Sequence, residues 1–218
     1  GVSPAMSGDF GPAAQLIPKA VSLKPDYAEA ILTLGNVYQS QAQFDAAVEC
    51  YRKAIALRPQ LADAYSSLGM LLENLNRLEE ALEIYDKLVT LQPDFAPGHT
   101  NRGVVQAKLG RHAQALASHE TALARDPRLA EAHANRGDVL RVLKRPLDAL
   151  ASYNSAIASQ PDFAYAYRRM GEILEDMGRY EEALAGYDQA IALVPDFAEN
   201  HYSRGHVLEK QSRYADPL

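Results

Sequence analysis

Apolar positions along the chain recur with helical spacing. Ile31, Leu34, Gly35 and Tyr38 fall at i, i+3, i+4 and i+7, and Ala183, Leu184, Tyr187, Ala190 and Ile191 repeat the arrangement. Such a stripe lets a helix bury one face and wet the other. Short polar links such as Gly110-Arg111 and Gly178-Arg179 separate the stripes, and links this short join antiparallel neighbours. The pattern predicts one set of helices near 28–41, 62–75, 96–109, 130–143 and 164–177. It predicts a second set near 44–57, 78–91, 112–125, 146–159 and 180–193. Pro146 then falls in the first turn of a helix, where a missing N–H is tolerated.

The punctuation of these helices has a period of 34 residues. Gly35, Gly69, Gly103, Gly137, Gly171 and Gly205 form one column, and Pro25, Pro59, Pro93, Pro127, Pro161 and Pro195 another. Ala47, Ala81, Ala115, Ala149 and Ala183 form a third, followed four residues on by Tyr51, Tyr85, His119, Tyr153 and Tyr187. Four columns in one period identify an internal repeat. The Gly and Ala columns are expected to meet where the two helices of a hairpin approach closely, since a bulkier side chain there would overpack the junction. The Pro column ends each second helix, because proline cannot continue one.

An aromatic, Leu-Gly, Tyr, then Ala, Tyr, Ala and Pro, kept over roughly residues 8–218, resembles the tetratricopeptide repeat. The resemblance implies an all-α fold, a right-handed superhelical solenoid of antiparallel helix pairs. The columns delimit five full repeats at 28–61, 62–95, 96–129, 130–163 and 164–197. Residues 8–27 are expected to form a half repeat, a lone second-type helix over about 11–23 weakened by Pro18. Residues 198–218 are expected to be a partial repeat, a first-type helix over 198–211 after which Ser212-Arg213-Tyr214 opens a second helix. Residues 1–7 are expected to be disordered or a cloning remnant. Neither end reads as the polar cap a solenoid terminus normally carries, so a fragment of a longer array or a larger protein is expected.

Composition narrows the function. With 22 Lys and Arg against 28 Asp and Glu the net charge is −6, which disfavours general nucleic-acid binding and attraction to anionic membranes. No apolar run approaches the roughly 18 residues of a spanning helix and no signal peptide is visible, so a cytoplasmic location is expected. The single cysteine, Cys50, cannot form an internal disulfide and is expected to be a small buried hydrophobe. Phosphate-binding glycine loops, His-Glu-x-x-His and Gly-x-Ser-x-Gly are missing. Carboxylate pairs such as Glu79-Glu80 and Glu181-Glu182 sit at second-helix starts, where they suit the helix dipole. An enzyme is therefore not expected, nor a cofactor.

In the resembled family the first helices line an inner groove, and the resemblance therefore implies a peptide-binding set: Asn36, Met70, Asn101, Val104, Asn135, Asp138, Tyr165, Arg168, Arg169 and Glu172. Asn101 and Asn135 have the amide geometry to pair with both the N–H and C=O of an extended peptide. The same column holds Thr33, Ser67, Arg169 and Ser203, so a backbone ladder would be partial. The carboxylate clamp of chaperone-binding relatives is matched only at Asn135 and Arg169, while Thr100, Val104 and Tyr165 depart from it. Arg168 and Arg169 can grip an acidic group or be neutralised by Glu172 and Glu175 on their own face. His99-Arg102, His133-Arg136 and His201-Arg204 repeat one pair. With no second ligand at metal spacing, these His are expected to be packed and hydrogen-bonded, with Arg stems covering apolar surface.

The function expected is a scaffold that binds a protein or peptide partner in its groove. Two alternatives stand beside it. One is the non-catalytic, substrate-binding arm of a larger bacterial, glycosyltransferase-like transferase. The other is a head-to-tail self-assembly module in which residues 198–211 of one molecule stack on residues 11–23 of the next.

Overall fold

The computed structural model describes residues 27–215, and side chains through Ser212. The expected helix over 11–23, the half repeat at 8–27 and residues 1–7 lie outside the described residues. The described residues form helices α1 (Ala28–Ser40), α2 (Phe44–Leu57), α3 (Ala62–Asn74), α4 (Leu78–Leu91), α5 (Ala96–Lys108) and α6 (His112–Arg125). There follow α7 (Ala130–Val142), α8 (Pro146–Ser159), α9 (Ala164–Asp176), α10 (Tyr180–Leu193) and α11 (Ala198–Ala215), with no strand among the described residues. First helices end one residue earlier than the spacing predicts, and second helices have the predicted bounds. The chain divides into two compact units, one through Asp94 and one from Phe95. The first holds the hairpins α1/α2 and α3/α4; the second holds α5/α6, α7/α8, α9/α10 and α11.

One local device closes every hairpin. Ala42, Asn76, Gly110, Lys144 and Gly178 all have left-handed φ, between 57° and 75°. The residue after each donates its N–H to the carbonyl five residues back: Gln43 to Tyr38, Arg77 to Leu72, Arg111 to Gln106, Arg145 to Leu140 and Arg179 to Leu174, at 2.8–2.9 Å. This is the Schellman bond, which satisfies the last carbonyls of a helix and turns the chain sharply. Arg77 then grips Glu80, Arg145 grips Asp148 and Arg179 grips Glu182, each at 2.6–2.8 Å. The acids at second-helix starts are thus held by the residue at the turn, besides favouring the dipole.

Across each hairpin the Gly column meets the aromatic column, which differs from the expected Gly-to-Ala contact. A Cβ placed on Gly35, Gly69 or Gly137 would lie 2.6–2.7 Å from the ring of Tyr51, Tyr85 or Tyr153. Gly103 abuts the His119 ring and Gly171 the Tyr187 ring in the same way. All five rings are fully buried, and so are Ala47, Ala81, Ala115, Ala149 and Ala183. The small residues thus make room for a ring laid flat on the helix backbone. In the second unit Leu140, Tyr153, Ile173, Leu174, Tyr187 and Val207 belong to one continuous cluster running from α7 to α11.

Three further expectations meet the structure here. His133 Nε2 lies 2.9 Å from the Pro127 carbonyl and His201 Nε2 lies 2.6 Å from that of Pro195. Tyr65 in the same column donates to the Pro59 carbonyl at 3.2 Å. These side chains pin each first helix to the turn before it. Two of their companions reach across their own hairpin, Arg102 to Ser118 at 3.1 Å and Arg136 to Ser152 at 2.7 Å, while Arg204 reaches back to Asp188 of the preceding hairpin at 2.5 Å. Cys50 is half-buried rather than buried, packed beside Ile31, Ala54 and Ala64, with its thiol pushed up in pKa by burial. Finally, α11 runs without a break through Ser212, where the turn was expected. The Ser212 hydroxyl donates to the carbonyls of Leu208 and Glu209 at 2.9 and 3.0 Å. With no second helix among the described residues to pull the chain back, continued helix satisfies its backbone groups.

Candidate functional site

Asn36 and Met70 belong to the first unit, and the other eight expected groove residues to the second. Met70 is half exposed, at 50%. Asn36 is engaged internally: with Gln39 it accepts a hydrogen bond from the Tyr51 hydroxyl, at 2.8 and 2.7 Å. Burial, with Cys50 adding to it, pushes that hydroxyl up to about 12.

In the second unit α5, α7, α9 and α11 lie side by side. Asn101 and Asn135 occupy equivalent positions on α5 and α7 and are half-buried. Neither carboxamide has a hydrogen-bond partner among the described residues. A cavity of about 260 Å³ opens beside Asn135, lined by the apolar Val104, Ala107, Val139 and Val142 and by the polar Lys108, His112 and Asp138. The structure therefore groups Val104, Asn135 and Asp138 around one depression.

The remaining residues form a closed polar network. Asp138 Oδ1 accepts from Tyr153 Oη at 2.8 Å and from Arg169 Nε and Nη2 at 2.7 and 2.5 Å, while Oδ2 accepts from Tyr165 Oη at 2.5 Å. Glu172 takes Arg169 Nη1 at 2.5 Å with one oxygen and Arg168 Nη1 with the other. Both guanidinium groups lie over the Tyr165 ring, 5.3 and 5.6 Å from its centre, a favourable placement for a cation. Burial and then the Asp138 carboxylate push the Tyr165 hydroxyl up to about 12. Burial alone would lower the Arg169 pKa; Asp138, Tyr165 and Glu172 outweigh it, and the group lies above its ordinary value. Arg168 and Arg169 are thus neutralised by their own chain. Glu172 performs that role as expected, and Glu175 does not. Asp138→Asn is expected to cost about 1–2 kcal/mol, because charge-assisted bonds give way to neutral ones; a urea melt would measure it.

Glu175 instead organises a second cluster that sequence reasoning missed. Its carboxylate accepts from Tyr187 Oη at 3.0 Å and Lys210 Nζ at 2.8 Å, with His206 Nδ1 at 2.8 Å. Burial would raise its pKa, but the bonds from Lys210 and Tyr187 and the lysine charge bring it below the ordinary carboxylate range. Its partners come from α10 and α11, at separations no periodic signal marks. Among the described residues no group of three or more His, Cys, Asp and Glu is placed to hold a metal, and no helix is long and apolar enough to cross a membrane.

Family models match most of this length. The tetratricopeptide repeat model matches residues 32–96 and 100–167, and a TPR repeat model matches residues 171–212. Among solved structures, the chain is similar to YrrB, described as a TPR protein with an unusual peptide-binding site. Identity to YrrB is 22% and the TM-score 0.66, covering 88% of this chain and 99% of that one. It is similar to TTC0263, a thermophilic TPR protein of Thermus thermophilus, at 26% identity and TM-score 0.69, covering 83% of this chain and 98% of that one. A chain of the APC/C hetero-tetramer Cut9–Hcn1 superposes with TM-score 0.78 at 16% identity, over 94% of this chain and 41% of that one. No curated protein matches the chain.

Proposed function

The chain belongs to the tetratricopeptide-repeat family, and on that premise we propose that it is a protein-interaction scaffold that holds an extended peptide along α5 and α7. The observation that carries this is the pair of unpartnered carboxamides, Asn101 and Asn135, the second of them lining a largely apolar depression. A half-buried amide that finds no partner among the described residues is available to one from another chain, and a carboxamide offers a donor and an acceptor together. An extended peptide backbone presents both at each residue. The 260 Å³ depression next to Asn135 accommodates one aliphatic or aromatic side chain of that peptide. Arg168 and Arg169 have no such role, because Asp138 and Glu172 already occupy them. YrrB, with its peptide-binding site, lends the idea precedent at the level of fold. The scaffold carries out no chemical step.

A peptide-display selection against the purified chain tests this, run in parallel on the variant Asn101→Ala/Asn135→Ala. A recurring motif is expected with the parent chain, each alanine weakening the selected peptide by about 5–10-fold, since a hydrogen bond contributes about 1 kcal/mol. Equal enrichment on both proteins, or none on the parent, would remove these residues from the site.

A further inference from the structure

The middle of the second unit carries positive charge that the rest of the chain lacks. Residues 102–145 hold nine Lys and Arg against four Asp and Glu, although the whole chain has 22 against 28. Most of these cations are held by their own chain, as Arg102 is by Ser118 and Arg136 by Ser152. Arg141 and Lys144 are not. Neither side chain has an ion pair or hydrogen bond among the described residues, and Arg141 Nε is buried without an acceptor, which is costly for a charged donor. The C-terminal end of α7 attracts both charges, yet neither side chain bonds its carbonyls. Lys144 also takes a left-handed φ of 59°, the conformation of Gly110 and Gly178 at the equivalent positions, so it stands where glycine would suit the turn better. Both cations line a cavity of about 660 Å³ whose apolar wall is Val142, Pro146, Ile173 and Met177 and whose acid is Asp176. Val142, 50% exposed, also lines the depression beside Asn135, as do Lys108 and His112. The two cavities therefore adjoin across Val142, along the C-terminal ends of α5, α7 and α9.

We propose that this second cavity binds an acidic segment of a partner protein, with a carboxylate side chain held by Arg141 and Lys144 and a neighbouring apolar side chain entering against Val142, Ile173 and Met177. The proposal rests on the peptide-groove reading of α5 and α7 for the course of that segment, but not for its chemistry. The guanidinium offers paired donors to a carboxylate, and the ammonium adds a point charge. Asp176 makes no ion pair with either cation, so both await an acid from outside. A peptide fits the surface better than a nucleic acid or a lipid headgroup layer. A long polyanion would also run past the remainder of the chain, where acids outnumber Lys and Arg by 24 to 13, and exposed like charges repel over about 8 Å at physiological salt. A phosphate backbone brings no aliphatic group for the apolar wall. A short acidic segment meets only the basic region.

Peptide-display selections against the parent chain, Asn101→Ala/Asn135→Ala and Arg141→Gln/Lys144→Gly test it. The parent is expected to enrich a motif with Asp or Glu beside an apolar residue, and Arg141→Gln/Lys144→Gly to lose the acid. In anisotropy titrations with the enriched peptide, Arg141→Gln is expected to weaken binding by about 10-fold, as for a charge-assisted bond, and Lys144→Gly by about 3-fold, as for an exposed ion pair. Asp176→Asn is expected to tighten binding by about 2-fold, a gain that loss of folding does not imitate. Glycine accepts the φ of residue 144, so circular dichroism of Lys144→Gly should match the parent. A motif without acids, or one that Arg141→Gln/Lys144→Gly leaves unchanged, would overturn the proposal and leave the asparagine groove standing. An acidic motif lost in that variant but indifferent to Asn101→Ala/Asn135→Ala would support the basic site and remove the asparagines instead. Single-stranded DNA or phosphatidylserine vesicles that displace the peptide through Arg141 and Lys144 would overturn the proposal by giving the cavity another class of partner. A parent chain that enriches nothing would overturn both readings.

Discussion

Gly137→Ala is expected to destabilise its hairpin by about 1–3 kcal/mol, the usual cost of overpacking a filled core, while Gly205→Ala is expected to stabilise α11 by about 0.5–1 kcal/mol, the helix-propensity gain over glycine. The two residues occupy the same column of the repeat, so sequence position alone would assign them one effect. Their surroundings differ. A Cβ on Gly137 would lie 2.6 Å from Tyr153 Cε1 and 2.8 Å from Cζ. That ring cannot swing aside, because it is fully buried and its hydroxyl is tied to Asp138 at 2.8 Å. At Gly205 the added methyl meets nothing among the described residues. Melts of repeat arrays need not be two-state, so amide hydrogen exchange is the sharper measurement. Protection should fall in α7 and α8 for the first variant and rise in α11 for the second. Equal effects would contradict the Gly-to-ring packing.

His119 is expected to make the chain acid-sensitive by roughly 3 kcal/mol, the free-energy equivalent of its displacement from 6.5 to about 4. Its ring is fully buried, and neither nitrogen has a hydrogen-bond partner among the described residues. Burial is the main cause; Arg136 also lowers the value and Asp138 raises it. Because the folded pKa lies below the unfolded one, the unfolded chain takes up the proton first. The contribution is complete above pH 6.5 and is lost as pH falls from 6.5 toward about 4. His119→Phe keeps a ring against Gly103, leaves no buried nitrogen unpaired and should remove this part of the pH dependence. Urea midpoints for both proteins at about pH 7.5 and about pH 5, on either side of the upper end of that window, would measure it. Parallel changes in the two would show that groups other than His119 are responsible.

The presence of a histidine at this column follows from what surrounds it. Tyr51, Tyr153 and Tyr187 donate their hydroxyls to residues 15 or 12 positions earlier, namely Asn36 and Gln39, Asp138, and Glu175. At the corresponding places before residue 119 stand Val104 and Ala107, which accept nothing. A tyrosine there would bury an unpaired hydroxyl; the shorter imidazole does not extend to that point. The same two apolar residues wall the depression beside Asn135, so the exchange of tyrosine for histidine and the apolar pocket are two sides of one substitution.

Helices, turns and the repeat were legible because each depends on residues near in sequence: a stripe at i, i+3, i+4, a left-handed residue after a helix, a proline that stops one. Which column faces which across a hairpin was not, since a common period of 34 holds for every pair of columns alike. The glycines were therefore matched to Ala47 and its equivalents when Tyr51 and its equivalents lie on them. The site divides in the same way. Asn101 and Asn135 could be singled out by residue type and column. That Arg169 belongs to Asp138, 31 residues earlier, and Glu175 to Lys210, 35 residues later, depends on how neighbouring hairpins are stacked, which periodicity leaves open. The turn expected at Ser212 is not made, since the helix continues through Ala215.

The placement of each aromatic ring on a glycine only 16 residues earlier has a consequence for how the chain acquires its structure. The most buried contact of every hairpin is made within that hairpin, across a Schellman turn, so little loop entropy is spent in closing it. Contacts this local favour fast folding that begins wherever a hairpin happens to form first and spreads to its neighbours. During synthesis, each 34-residue stretch can therefore lay its ring on its glycine soon after leaving the ribosome, long before the rest of the chain exists.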